Sequence, residues 1–402
     1  MDKLSQRYWR SILGNIEEIS MQPNKAISQL PRSYLREILT MAKAEHVISL
    51  AGGLPDQASF PMDLMAESIH ALADDSTLFQ YGESAGYQPL LDYLRTSFAL
   101  PENHRTLICN GSQQGLDLIT RSFLLPGESV AMEDPGYLGA LQLFNLVGAD
   151  IKTVPQDASG PDTVALEALF AKGGIKLFYC VPDFHNPTGV CWSLETRKKV
   201  AELCIAYNVI LIEDAPYREI RFSGQAQPLV SDFCPDHSIV LRSFSKTVAP
   251  AMRIGAMTCK HQWFDAMLTV KQSVDLHTNV PMQAVLTEAL QHPGMKAHID
   301  NICAIYGERY QHLTQEIRKY LPQCSFDEVE GGMFIWVNLP DGNDAMALAD
   351  QCLEAGVAVV PSNVFYHDQS LAKPALRLNF SSANKAEISE AIKRLAKIIN
   401  VE

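Results

Sequence analysis

The chain has 402 residues, 47% of them apolar and 20% charged, enough to bury a large core and to divide into two domains. Its formal charge of −13 excludes a surface made to lie on a nucleic-acid backbone, but not an anionic small molecule, whose binding depends on a local pocket of cations. Nine scattered cysteines without a C-x-x-C pair, no zinc spacing among the histidines, no apolar run near the roughly 20 residues of a membrane helix, and a polar start lacking a signal-peptide core predict a cytoplasmic protein with reduced thiols.

Along the chain, Tyr8, Trp9, Ile12, Leu13, Ile16 and Ile19 fall on one apolar helical face, read as an arm packing on its own small domain or on a partner subunit. Tyr34-Leu-Arg36-Glu-Ile-Leu39 follows as a further helix. From about Glu102 to Lys271 short apolar strands alternate with helices, which predicts a mainly parallel sheet covered on both faces. Near His292-Pro-Gly the pattern changes. A helix over Met295–Tyr320, strands at Gly331–Asn338, Glu354–Val360 and Leu376–Phe380, and a last helix near Lys385–Ile399 read as a smaller α+β unit. The expected fold class is α/β, with an N-terminal arm and part of the small domain over 1–60, a large domain over 61–294 and a C-terminal small domain over 295–402.

Several segments carry chemistry. Gly111-Ser112-Gln113-Gln114-Gly115 opens the helix pattern that continues through Leu116–Leu125; free N–H groups there suit a phosphate, and equally an ordinary cap. Glu133-Asp-Pro-Gly-Tyr137 ends the strand Ser129–Met132 in a turn that lays Tyr137 over an aromatic ring or simply half-buries it. Asn186-Pro-Thr-Gly189 follows the strand Ile175–Val181 and offers an amide at the sheet edge, although N-P-T-G also serves as a plain turn. Asp214-Ala-Pro-Tyr217 follows Asn208–Glu213, so Asp214 stands at a strand's carboxyl end, where open α/β sheets bind ligands. An aspartate there can keep a pyridine nitrogen protonated: at ~3 Å and an effective dielectric of ~20 the attraction is ~5 kcal/mol.

Ser243-Phe-Ser245-Lys246, with Arg253-Ile-Gly255 close behind, is the most informative stretch. A lysine condenses with an aldehyde only when deprotonated, so its pKa must fall from about 10.4. Arg253 supplies a depressing charge and a phosphate clamp, Ser243 and Ser245 supply hydroxyl donors, and Gly255 permits close backbone approach. The same residues spell the S-x-x-K of acylating serine enzymes, but the chain contains no Lys-Thr-Gly to complete that set.

Taken in order, N-P-T-G, D-A-P-Y, S-F-S-K and the late Arg377-Leu-Asn-Phe resemble the fold-type I pyridoxal-phosphate aminotransferases of class I/II over nearly the whole chain. Ile48-Ser-Leu-Ala-Gly-Gly53-Leu-Pro-Asp, Gln80-Tyr81-Gly-Glu-Ser-Ala-Gly86 and Ala375-Leu-Arg377 look most like the 2-aminoadipate and kynurenine aminotransferase group. The resemblance implies an aspartate-aminotransferase-like fold and pyridoxal 5'-phosphate linked to Lys246, which then shuttles the α-proton. It implies that Asp214 pairs with the ring nitrogen, Asn186 and Tyr217 with the ring oxygen, and that Tyr137 stacks on the ring. Ser112, Gln113, Ser243, Ser245 and Arg253 hold the phosphate, joined by Tyr81 of a neighbouring subunit in a homodimer. Arg377 grips the substrate α-carboxylate in a bidentate pair, Gly53 and Asn186 line the substrate site, and Arg36 is placed to bind a distal carboxylate or else is an exposed helix arginine. The implied partners are amino acids and 2-oxo acids, with 2-oxoglutarate the expected acceptor. A β-lyase or decarboxylase on the same scaffold is the enzymatic alternative. A ligand-sensing domain is the other, and would need a basic helix-turn-helix ahead of Gly52, where the sequence is only weakly patterned.

Overall fold

The computed structural model describes Ile27 and Tyr34–Ile399, apart from Lys43, Glu45 and the side chains of Leu35 and Arg36. The arm expected over Tyr8–Ile19 lies outside the described residues.

An eight-stranded sheet organises the middle of the chain, in the order His104–Cys109, Gly255–Lys260, Ser238–Ser243, Ile210–Asp214, Ile175–Cys180, Ser129–Asp134, Asp150–Asp157 and Gly160–Pro161. The run from Ser238–Ser243 to Asp150–Asp157 is parallel, while Gly255–Lys260 is antiparallel to both its neighbours and Gly160–Pro161 to its one. The expected mainly parallel sheet is therefore mixed at both edges. Its inner strands are apolar because both faces are covered. One face packs Leu116, Ile119, Leu141 and Phe144, and the other packs Leu166, Phe170, Trp192 and Leu203.

Strand direction gathers the motifs. Asp134, Cys180, Asp214 and Ser243 all end their strands, in the same direction, at one edge. Gly255 pairs with both Ser243 and Cys109, so the loops after Ser243 and Cys109 reach that same edge. Motifs more than a hundred residues apart are thus delivered to one place.

The predicted helix Met295–Tyr320 is present with those bounds, and the last helix runs Lys385–Ile399. A three-stranded antiparallel sheet places Ala375–Asn379 between Phe334–Asn338 and Val360–Pro361. The strand expected over Glu354–Val360 is two short pieces: Val357–Ala358 pairs with Ile48–Ser49, and Val360–Pro361 joins the three-stranded sheet. Glu354 itself ends the helix Ala345–Glu354, and Gly356 at φ 77 makes the exit that the helical chain needs. In Ala375–Asn379 the period-two alternation sends Leu376 and Leu378 to one face and Arg377 and Asn379 to the other.

Candidate active site

A cavity of about 270 Å³ opens at the carboxyl edge of the large sheet, and its wall includes Gly53, Ser112, Gln113, Tyr137, Asn186, Asp214, Tyr217, Ser243, Ser245, Lys246, Arg253 and Arg377. Twelve of the fourteen residues expected from sequence are therefore brought together. Tyr81 is not among them: it is 79% exposed, with its ring edge-on to His277. Arg36 stands on the helix Tyr34–Met41, and its side chain lies outside what is described.

Part of the cavity wall has the donors that an anion needs. Gly111 caps the helix Ser112–Phe123 without a side-chain hydrogen bond, leaving the N–H groups of Ser112 and Gln113 without helical acceptors. Gly111 has φ 79, and a Cβ there would lie 2.7 Å from Arg253 Nη2, so the guanidinium sits directly against the loop. A Cβ at Gly255 would lie 2.7 Å from Gly111 C and Ser112 N. Only glycine allows that close passage. Gln113 departs from expectation: its amide nitrogen donates to Gly139 O at 3.1 Å and its oxygen accepts from Tyr137 Oη at 3.1 Å. The side chain thus orients Tyr137, and the Gln113 backbone N–H is free of a helical acceptor. Ser243 Oγ accepts from Ser245 N at 3.3 Å, while Ser245 Oγ is buried without a partner.

Lys246 Nζ donates to Gly53 O at 2.7 Å. Its pKa is lowered from 10.5 to about 8, chiefly by burial and then by Arg253 and Arg377. Arg253, the depressing charge expected from the sequence, contributes second. Burial is the larger cause, because it removes the water that stabilises the ammonium.

Asp214 is pushed from 3.8 up to about 7 by burial, partly opposed by Tyr179 Oη, which donates to its Oδ2 at 2.9 Å. Oδ1 is left buried and unpaired. Arg377, 2% exposed, donates through Nη1 to Asn186 Oδ1 at 2.8 Å and through Nη2 to Ala51 O. Its guanidinium carbon sits 4.4 Å from the Phe334 ring centre and 5.0 Å from that of Phe365. Burial lowers it to about 10, and Nε has no partner. The two rings fix the plane of the guanidinium and leave its edge free.

Sequence reasoning missed Tyr179, Phe334, Phe365 and a layer behind the site. There, Glu133 accepts from Val181 N at 3.0 Å and from Trp192 Nε1 at 2.9 Å, with His185 Nε2 at 3.4 Å. Burial raises Glu133 to about 8 and lowers His185 to about 3, so both are uncharged near neutrality. Glu133 anchors the two ends of the segment that carries Asn186, at Val181 and Trp192. A polar-tipped aromatic at the end of the apolar strand Ile175–Cys180 was the available signal for Tyr179; Phe365, brought in from a remote loop, had none. Among the described residues no helix is long and apolar enough to cross a membrane, and no group of acidic, cysteine and histidine side chains is set to hold a metal.

Residues 45–395 match the sequence family described as aminotransferase class I and II. The chain is similar to aromatic-amino-acid aminotransferase 1 of Thermococcus litoralis, 34% identical over 384 residues that cover 92% of each protein. Its fold is similar to Pyrococcus horikoshii kynurenine aminotransferase, with a TM-score of 0.90 at 34% identity over 97% of this chain and 99% of that one. It is also similar to the alpha-aminoadipate aminotransferase of Thermus thermophilus complexed with N-(5'-phosphopyridoxyl)-L-leucine, with a TM-score of 0.87 at 30% identity over 94% and 97% of the two chains.

Proposed function

The chain belongs to the class I and II aminotransferases and is a pyridoxal-phosphate-dependent enzyme; from that premise we propose that it moves amino groups from aromatic and bulky apolar amino acids to a 2-oxo acid, 2-oxoglutarate above all. The residues suit the cofactor. Asp214 Oδ1, Ser245 Oγ and Arg377 Nε are buried polar atoms left unpaired around one cavity that also holds Lys246, an arrangement that is costly unless a ligand completes it.

When bound, pyridoxal phosphate supplies an aldehyde for the amine and a ring that takes up the electron pair released at the α-carbon. We assign Lys246 to the aldehyde, Asp214 Oδ1 to the ring nitrogen, and Asn186 and Tyr217 to the ring oxygen. Tyr137 covers the ring face. The Ser112 and Gln113 N–H groups, Ser243, Ser245 and Arg253 hold the phosphate. Tyr81, too exposed to serve its own cavity, is assigned to the phosphate of the neighbouring subunit in a homodimer.

With a pKa near 8, Lys246 is partly neutral at physiological pH. Once displaced by the incoming amine, its Nζ takes the substrate's α-proton and later returns one. Arg377 holds the α-carboxylate through the Nε edge that no protein group uses, while Asn186 and Ala51 fix its other edge. Water is kept from the carboxylate by Phe334 and Phe365, which strengthens that pair.

The observation that carries the donor class is Phe334, a cavity-wall aromatic left to the substrate, whose ring centre lies 4.4 Å from the Arg377 guanidinium carbon. An acidic acceptor needs a further cation. Arg36 is our candidate, because Ile38 on the same helix packs with Ala51 and Phe365, beside Arg377. A donor panel with 2-oxoglutarate tests the reading: phenylalanine, tryptophan and leucine are expected to exceed aspartate by at least about tenfold in kcat/KM, one to two kcal/mol of side-chain discrimination. Faster turnover of aspartate refutes it. Arg36→Gln is expected to raise KM for 2-oxoglutarate and leave that for pyruvate unchanged; equal effects on both count against the arginine's role.

A further inference from the structure

We propose that the ion pair between the buried Lys271 and the half-buried Asp275 is a positioning device for the phosphate loop Asn110–Gln114, holding it in anion-binding geometry before the anion arrives. Lys271 is wholly buried at the end of the helix His261–Val274, outside the cavity wall, and has no part in the chemistry described above. Its Nζ donates to both oxygens of Asp275, at 3.0 and 3.1 Å, to Thr278 Oγ1 at 3.1 Å and to Gln114 Oε1 at 3.2 Å. Asp275 Oδ2 in turn accepts from Asn110 Nδ2 at 2.6 Å and from Gln114 Nε2 at 2.7 Å.

The two residues grasped, Asn110 and Gln114, flank Gly111-Ser112-Gln113. Gln114 Oε1 also accepts from Asn110 N at 2.7 Å, closing the loop on itself, and Asn110 O accepts from Arg253 Nη2 at 3.0 Å. Thr278 Oγ1 donates to Ile108 O at 3.3 Å, tying the same cluster to the strand that leads into the loop. One ammonium and one carboxylate, neutral as a pair, therefore fix both ends of the loop and the carbonyl on which Arg253 rests. N–H donors aimed beforehand bind an anion more tightly than donors that must be ordered by it. Hydrophobic residues would fill the space but could not satisfy two amides and a hydroxyl at once.

The inference rests on the phosphate placement proposed above. Its test is a titration of the cofactor-free, full-length protein with pyridoxal 5'-phosphate and, separately, with pyridoxal, following protein fluorescence. Lys271→Met is expected to weaken pyridoxal 5'-phosphate by at least about tenfold, one charge-assisted hydrogen bond misaimed, while pyridoxal binds as to the wild type. Equal weakening of both ligands in a folded Lys271→Met protein, or no loss at all, overturns the proposal. Should Lys271→Met fail to fold, Gln114→Met decides: it leaves the ion pair in place, cuts the tie to Asn110 N and is expected to show the same selective loss. Arg253→Gln reports on the placement itself. If that variant distinguishes the two ligands as the wild type does, the placement falls and the positioning role with it; if Arg253→Gln is selective and Lys271→Met and Gln114→Met are not, only the positioning role falls.

Discussion

Replacing Asp214 by asparagine changes one ionisable group and keeps the shape, with an amide oxygen still able to accept from Tyr179. In the cofactor-free protein burial raises Asp214 from 3.8 to about 7, so the folded state keeps its proton where the unfolded chain has released it. The stability this proton confers is complete below pH 4 and is lost as pH rises through 7. A gap of about three pH units is worth about 4 kcal/mol, of which about 2.5 kcal/mol disappears between pH 5 and pH 8. Asparagine has no such dependence. Urea unfolding of both cofactor-free proteins at pH 5 and pH 8 is therefore expected to show the variant gaining about 2–3 kcal/mol on the wild type over that interval. In the loaded enzyme the sign reverses: a charge pair worth about 5 kcal/mol at hydrogen-bond distance is gone, and kcat is expected to fall about a thousandfold. A stability difference that stays constant from pH 5 to pH 8 would show that burial does not hold Asp214 neutral, and the argument for its role would fail with it.

Lys246→Ala is expected to fold and to abolish transamination; retained turnover shows that the lysine is misassigned. Because Lys246 titrates near 8 when folded and 10.5 when unfolded, the cofactor-free wild type gains stability as pH rises from 8 to 10.5, and the alanine variant is expected to lack that slope in pH-resolved unfolding. Arg377→Lys retains a charge but cannot occupy the slot between Phe334 and Phe365 while engaging both Asn186 and a carboxylate; kcat/KM is expected to drop about a hundredfold with unchanged circular dichroism, and a drop under threefold contradicts the bidentate role. Gly111→Ala places a Cβ 2.7 Å from Arg253 Nη2 on a backbone with φ 79, so unfolding stability should fall by about 1–2 kcal/mol and cofactor retention on dialysis should fall with it; full retention refutes the anion-binding geometry.

Much of the site was legible because its chemistry is built from contiguous residues. A helix start with small residues before it, a strand that stops on an aspartate, and Ser243-Phe-Ser-Lys246 leading to Arg253 are each defined by local backbone geometry, and local geometry is written in neighbouring residues. The long helices were equally plain, since Met295–Tyr320 and Lys385–Ile399 carry a helical apolar period over many residues. The Glu354–Val360 segment was misread because a short apolar run does not reveal that Gly356 ends a helix and that its two strand pieces belong to different sheets.

By itself, the sequence determined most of the helices and strands and the candidate residues Lys246, Asp214, Asn186, Arg253 and Arg377, which the structure brings around one cavity. The tertiary structure alone decided the electrostatics. Lys246 near 8 and Asp214 near 7 owe those values to burial by residues from across the chain, and desolvation has no sequence motif. The same holds for the aromatic slot around Arg377 and for Lys271 beside the loop Asn110–Gln114, both made of partners far apart in sequence. Antiparallel pairing of Phe334–Asn338 with Ala375–Asn379, and packing of the helix His261–Val274 on the helix Ser112–Phe123, bring such partners within 5 Å, and at such distances a low-dielectric interior turns ordinary side chains into strong, directed interactions.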